Sequence, residues 1–172
     1  MFYFCREAGP RQVETAFLAG LISILVILTV LIFQHGFGYI PCYMCYVQRE
    51  PYYIAIPALI LAFFAALKWW PACVSRGMLT IAFLCFVATA LMGAYHSGVE
   101  WGFWMGPAEC GLGVQSNTTN ASDLLGNLGK TTAPLCNEAA GRFLGLSFAG
   151  WNVIAAAFLA WITSKGMLGD AY

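Results

Sequence analysis

The chain has 172 residues, 60% of them hydrophobic and only 9% charged, with no net charge and a mean hydropathy of +0.73. A soluble domain carries about 25% charged residues, so this composition excludes a water-covered globular surface, and the zero net charge gives nucleic acid no footing. What remains is one small domain in a lipid bilayer, with 16% aromatics that fit interfacial belts and seven cysteines to explain.

Residues 1–15 are polar, with Arg6, Glu7, Arg11 and Glu14. The apolar run behind them is too long for a signal-peptide core and lacks a small-residue cleavage site, so it predicts an uncleaved first helix over 16–33. That length just spans about 30 Å of hydrocarbon at about 1.5 Å per residue. A polar loop, 34–50, leads to a second span over 51–67. Pro51 suits the first turn there, and Pro57 predicts a kink. A short turn with Lys68, Pro71 and Arg76 leads to a third span over 77–95. A long polar loop, 96–142, precedes the last span, 143–162.

The expected fold is therefore an all-α membrane protein, a four-transmembrane-helix bundle forming a single domain over 1–172. Four spans put both termini on one side. That side holds Arg6, Arg11, Lys68, Arg76 and Lys165, against Arg49, Lys130 and Arg142 on the other. The excess of basic residues predicts cytoplasmic termini and two outer loops. Asn117 and Asn120 open glycosylation-like triplets, a pattern too short to assign a site.

This topology sorts the cysteines. Cys42, Cys45, Cys110 and Cys136 fall outside, where disulfides persist; Cys5 and Cys73 fall in the cytoplasm, where thiols should stay reduced. Cys85 lies mid-span as a small hydrophobe. Four outer cysteines allow three pairings. Cys42–Cys45 is local, and Cys110–Cys136 would then close a loop rich in Gly, Ser, Asn and Thr. Two structural staples are one reading. A Cys-x-x-Cys ring removes little chain entropy, however, so redox reactivity is its usual value. Zinc is disfavoured, because no histidine sits at ligand spacing, and no metal is expected. If the second helix begins somewhere from Tyr43 to Arg49, its dipole and the nearby Arg49 favour a thiolate. As a plain alternative, Arg49 is a headgroup anchor.

A dithiol that is re-oxidised needs an acceptor. The chain holds no nucleotide fingerprint and no haem-attachment motif, which leaves an apolar quinone in the bilayer, held in an apolar slot by one or two polar groups. Arg49 and His96 end up at similar depth, at the start of the second span and the end of the third. Both are candidates to hydrogen-bond a quinone oxygen. Tyr46, Tyr52, Tyr95, Trp101 and Trp104 are candidate slot residues, and each taken alone is an interfacial-belt aromatic.

These residues resemble the DsbB-type disulfide bond formation proteins of the bacterial inner membrane. The likeness rests on four spans, P-C-Y-M-C-Y-V-Q-R at 41–49, Y-H-S-G-V-E at 95–100, G-P-A-E-C at 106–110, Cys136, and G-L-S-F-A-G-W-N at 145–152. Many relatives carry Glu-Arg where this chain has Gln48-Arg49, so a general-base role for residue 48 is not expected. The resemblance implies an inner-membrane enzyme with both loops in the periplasm, a quinone-dependent protein dithiol oxidoreductase. Cys110 would form a mixed disulfide with a periplasmic DsbA-like thioredoxin-fold partner, and Cys136 would pair with Cys110. Cys42–Cys45 would re-oxidise that pair. Cys45 would face the quinone (ubiquinone or menaquinone), with Arg49 and His96 beside it. It also implies a short amphipathic helix in the long loop, for which 122–128 is the candidate. Two alternatives stay open: a paralogue serving one dedicated partner, and a non-enzymatic scaffold with two structural disulfides.

Overall fold

The computed structural model describes residues 9–107, 110, 136–137, 139 and 141–168. Four helices among them are long and apolar enough to cross a membrane. Helix α1 covers Pro10–Gly36. A short α2, Tyr43–Val47, is followed directly by α3, Glu50–Phe64, which ends in a π-turn at Ala65–Trp69. Helix α4 covers Ala72–Glu100 and α5 covers Phe148–Leu168. The structure is thus the four-helix membrane bundle expected from composition. The expected amphipathic segment 122–128 and the Asn117 and Asn120 triplets lie outside the described residues.

The helices pack through small residues. Ala16 and Ala19 of α1, Ala55 and Ala62 of α3, Ala82 of α4 and Ala160 of α5 are buried in one core with Leu59, Leu79, Phe86 and Leu159. In hydrocarbon, lipid tails are as apolar as leucine, so helices associate by close backbone approach rather than by hiding leucines. The outward residues fit that rule: Leu18, Leu25, Leu28, Ile54, Leu84, Leu91 and Phe158 are all exposed. Such a surface would aggregate in water and is at home in lipid.

Two glycines mark the tightest seams. A Cβ at Gly166 of α5 would fall 2.6 Å from Thr15 Cγ2 of α1. One at Gly93 of α4 would fall 2.9 Å from Val153 Cγ2 and 3.3 Å from the Ala149 carbonyl of α5. Helix α3 continues through Pro57. Its last turns loosen into the π-turn, where Ser75 Oγ of α4 donates to the Ala62 carbonyl at 3.1 Å. This is the cross-helix compensation that lets a membrane helix depart from its regular ladder.

Three local features differ from expectation. Residues 142–147, expected to straddle the end of the loop and the start of a span, form a hairpin of β1, Arg142–Phe143, and β2, Leu146–Ser147. Leu144 (φ 52°) and Gly145 (φ 82°) make its turn, with both central residues left-handed as a tight hairpin demands. Arg76, expected in a turn, is buried within α4. Cys73, expected as a reduced thiol, is disulfide-bonded. The expectation followed the compartment, whereas bond formation follows the approach of two sulfurs. Cys5 lies outside the described residues.

Candidate functional site

Pro41 ends the extended loop, and Cys42 is the N-cap of α2. Its sulfur takes the role that a Ser or Asp oxygen usually fills, accepting the Cys45 backbone N–H at 3.3 Å. Residues three apart share a helix face, so Cys45 Sγ comes to 2.7 Å from Cys42 Sγ. The pair is a dithiol within reach of bonding, shown beside a formed Cys110–Cys136 disulfide with Cα atoms 5.2 Å apart. Cys42 is buried, while Cys45 is partly open.

The cysteines face different neighbours. Cys42 packs with Met44, Val99, Cys110 and Cys136 in one buried cluster, with Cys45 at its edge. The loop after α4 makes this possible. Trp104 folds back onto Gly98, where any Cβ would collide with its ring, and its Nε1 donates to the Tyr95 carbonyl at 2.8 Å. The chain then turns past Gly106, which lies against Val99 and Cys110. The long loop's disulfide is thereby brought to the membrane-edge pair.

Behind Cys42 lies His96, 2% exposed, with Nε2 at 3.6 Å from Cys42 Sγ and 3.7 Å from Glu100 Oε1. The Cys42 thiol is pulled down from the ordinary range to about 5. The Cys45 thiol donating to its sulfur is the main cause, His96 and the Cys45 backbone N–H add to it, and burial opposes them.

Gln48 and Arg49 sit at the junction of α2 and α3 and take different partners. Gln48 is buried and meets His96 Nδ1 at 2.7 Å. Arg49 donates to Gln34 Oε1 at 2.6 Å and lies 5.0 Å over the Tyr46 ring. Arg49 borders a cleft of about 140 Å³ between α1, the start of α3 and the start of α5. Its walls are apolar, formed by Val26, Ile27, Val30, Phe33, Ile40 and Phe148. Its polar groups include Gln34, Cys45, Gln48, Arg49, Tyr52 and Asn152. An apolar cavity of roughly 150 Å³ takes up a benzene ring, so the cleft is of a size for a small flat ring. Arg49 has donors beyond the one given to Gln34, so one cation and one sulfur sit on its wall. These residues fit a quinone head group.

Of the candidate residues, Cys42, Cys45, Cys110 and Cys136 lie in one cluster, and Arg49 shares the cleft wall with Cys45. His96 comes to the same centre but on the other side: it contacts Cys42 and is not among the cleft-lining residues. Of the aromatic candidates, Tyr52 lines the cleft, while Tyr46 lies under Arg49 and Tyr95 stacks on Trp104. Sequence reasoning missed Gln34, Thr89, Glu100 and Asn152. Thr89 and Asn152 carried a usable signal, since a polar side chain inside an apolar span marks function by default. The sequence showed no histidine at ligand spacing, yet folding gathers donor atoms of Cys42, Cys45 and His96 within 4.8 Å of one another.

A dithiol beside a second, oxidised cysteine pair, at an apolar cleft in a four-helix bundle, defines a membrane thiol–disulfide exchange protein. The family model "Disulfide bond formation protein DsbB" matches residues 12–164, and the chain belongs to that family. It is a membrane disulfide oxidase of disulfide bond formation. Neither the curated proteins nor the solved structures contain a match to the chain.

Proposed function

We propose that the chain re-oxidises a periplasmic DsbA-like dithiol and passes the electrons to a membrane quinone, with both termini in the cytoplasm. The observation that carries this reading is the division of the pair. Cys42 packs against the loop disulfide, and Cys45 borders the apolar cleft beside Arg49.

The sequence of exchanges balances. The partner's dithiol gives two electrons and two protons to Cys110–Cys136 through a mixed disulfide at Cys110, leaving as a disulfide. The reduced loop pair then transfers the same electrons and protons to Cys42–Cys45, so the loop disulfide re-forms and the membrane-edge pair becomes a dithiol. Each transfer is attack of a thiolate on a disulfide sulfur. A bound quinone supplies the two-electron, two-proton sink that returns Cys42–Cys45 to the disulfide. Arg49, on the cleft wall, would hold a ring oxygen of such a quinone and favour negative charge on it. The apolar walls exclude water, and Tyr52 and Asn152 shape the floor. The excess of basic residues on one side, Arg6, Arg11, Lys68, Arg76 and Lys165 against Arg49, Lys130 and Arg142, supports the orientation.

The test is made in cells lacking other periplasmic oxidants. The Cys42→Ser and Cys45→Ser chains should each leave the DsbA-like partner reduced. A partner that stays fully oxidised with either variant would overturn the proposal.

A further inference from the structure

The buried and half-buried polar side chains behind Cys42 form a set of hydrogen bonds whose direction is fixed by two backbone carbonyls. Thr89 Oγ1 lies 2.7 Å from the Gln48 carbonyl oxygen. A carbonyl only accepts, so the Thr89 hydroxyl spends its one proton there. The Asn152 atom 3.2 Å from Thr89 Oγ1 must therefore be its NH2, and the same NH2 reaches the Gln48 side chain at 2.8 Å. The Gln48 atom facing Asn152 is then the oxygen, and its NH2 points the other way. A second route gives the same answer: that end of Gln48 lies 3.2 Å from the Met44 carbonyl, which also only accepts. Both routes hold however the amides were first assigned. The Gln48 NH2 spends its second proton on His96 Nδ1 at 2.7 Å.

We infer that Gln48, Thr89 and Asn152 form a tautomer lock that makes His96 Nδ1 an acceptor and presents Nε2–H to the sulfur of Cys42. The lock is a positioning device for the exchange reaction. Neutral imidazole carries one proton; with Nδ1 accepting, that proton sits on Nε2, 3.6 Å from Cys42 Sγ. It stabilises the Cys42 thiolate each time the sulfur attacks or leaves. Glu100 Oε1 lies 3.7 Å from the same nitrogen, beyond hydrogen-bond distance, and its Oε2 is buried with no hydrogen-bond partner among the described residues. The lock also tells against a metal at Cys42, Cys45 and His96, because a bound ion needs a bare Nε2. It gives Gln48 a role as an amide: a glutamate there would have no NH2 to donate.

The inference rests on Cys42 being a reactive thiol, but its test reads a proton's position and holds whether or not quinone is the acceptor. The reduced full-length chain, labelled with 15N-histidine in bilayers, has two histidines, and His35→Gln assigns the other. At neutral pH the His96 Nδ1 resonance should be that of a bare nitrogen and Nε2 that of a protonated one. Gln48→Glu should move a proton onto Nδ1. Gln48→Leu should move the midpoint of the Cys42 alkylation pH profile upward by about one unit, which is about a tenfold loss of thiolate at pH values below that midpoint. A protonated Nδ1 in the unsubstituted chain would overturn the lock. So would a bare Nδ1 in Gln48→Glu, or an unchanged midpoint of Cys42 alkylation in Gln48→Leu.

Discussion

Cys42 and Cys45 are three residues apart and chemically unequal. One is an N-cap sulfur beside an imidazole and a disulfide; the other borders an apolar cleft. Because the Cys42 thiol is lowered to about 5, its thiolate is present above that pH and is lost as pH falls through it. Alkylation of Cys42 should therefore stay near its maximum through neutrality and halve near pH 5. A half-point near the ordinary thiol value of about 8.5 would show that these neighbours do not act on it. Arg49 belongs to the cleft. Its loss should remove a charge-assisted hydrogen bond of about 1.5–3 kcal/mol, or roughly ten- to a hundredfold in kcat/KM for quinone. Exchange at Cys110 should be nearly untouched. Equal loss of both steps would make Arg49 structural. The cysteine pair and Arg49 were legible because their chemistry lies within eight residues of sequence. The surroundings were not. Gln48 meets His96 across 48 residues and Asn152 across 104, distances at which spacing carries no information.

The helices could be read from composition because each must span hydrocarbon with few charges. Their ends were harder to read. The chain continues helical beyond the apolar runs, and the hairpin at 142–147 has turn residues, Leu144 and Gly145, that lack the usual Asn-Gly signal. The seams depend on glycine. Gly93→Val and Gly166→Val should each destabilise the fold in detergent by about 1–3 kcal/mol, the usual cost of overpacking, as read by denaturant unfolding. They should differ in function. A Cβ at Gly93 also falls 3.3 Å from Gln48 Oε1, so Gly93→Val should slow Cys42 exchange. Gly166→Val crowds Thr15 instead and should leave that exchange rate in the folded fraction unchanged. Equal effects on exchange would detach the α4–α5 seam from the site.

At the scale of the whole molecule, the bundle holds two cysteine pairs in one cluster at one end, with the apolar cleft beside them. Sequence gave their order along the chain; only folding shows that the loop turned by Trp104 returns Cys110 and Cys136 to Cys42. A cytoplasmic reporter fused after Tyr172 should be active and a periplasmic one silent; the reverse would invert the orientation. The most direct test of the account is anaerobic turnover of a reduced DsbA-like protein by the purified full-length chain with a soluble quinone. The account predicts one quinone reduced for each partner disulfide formed, with both lost in Cys45→Ser. Partner oxidation without quinone consumption, or quinone reduction that survives Cys45→Ser, would contradict it.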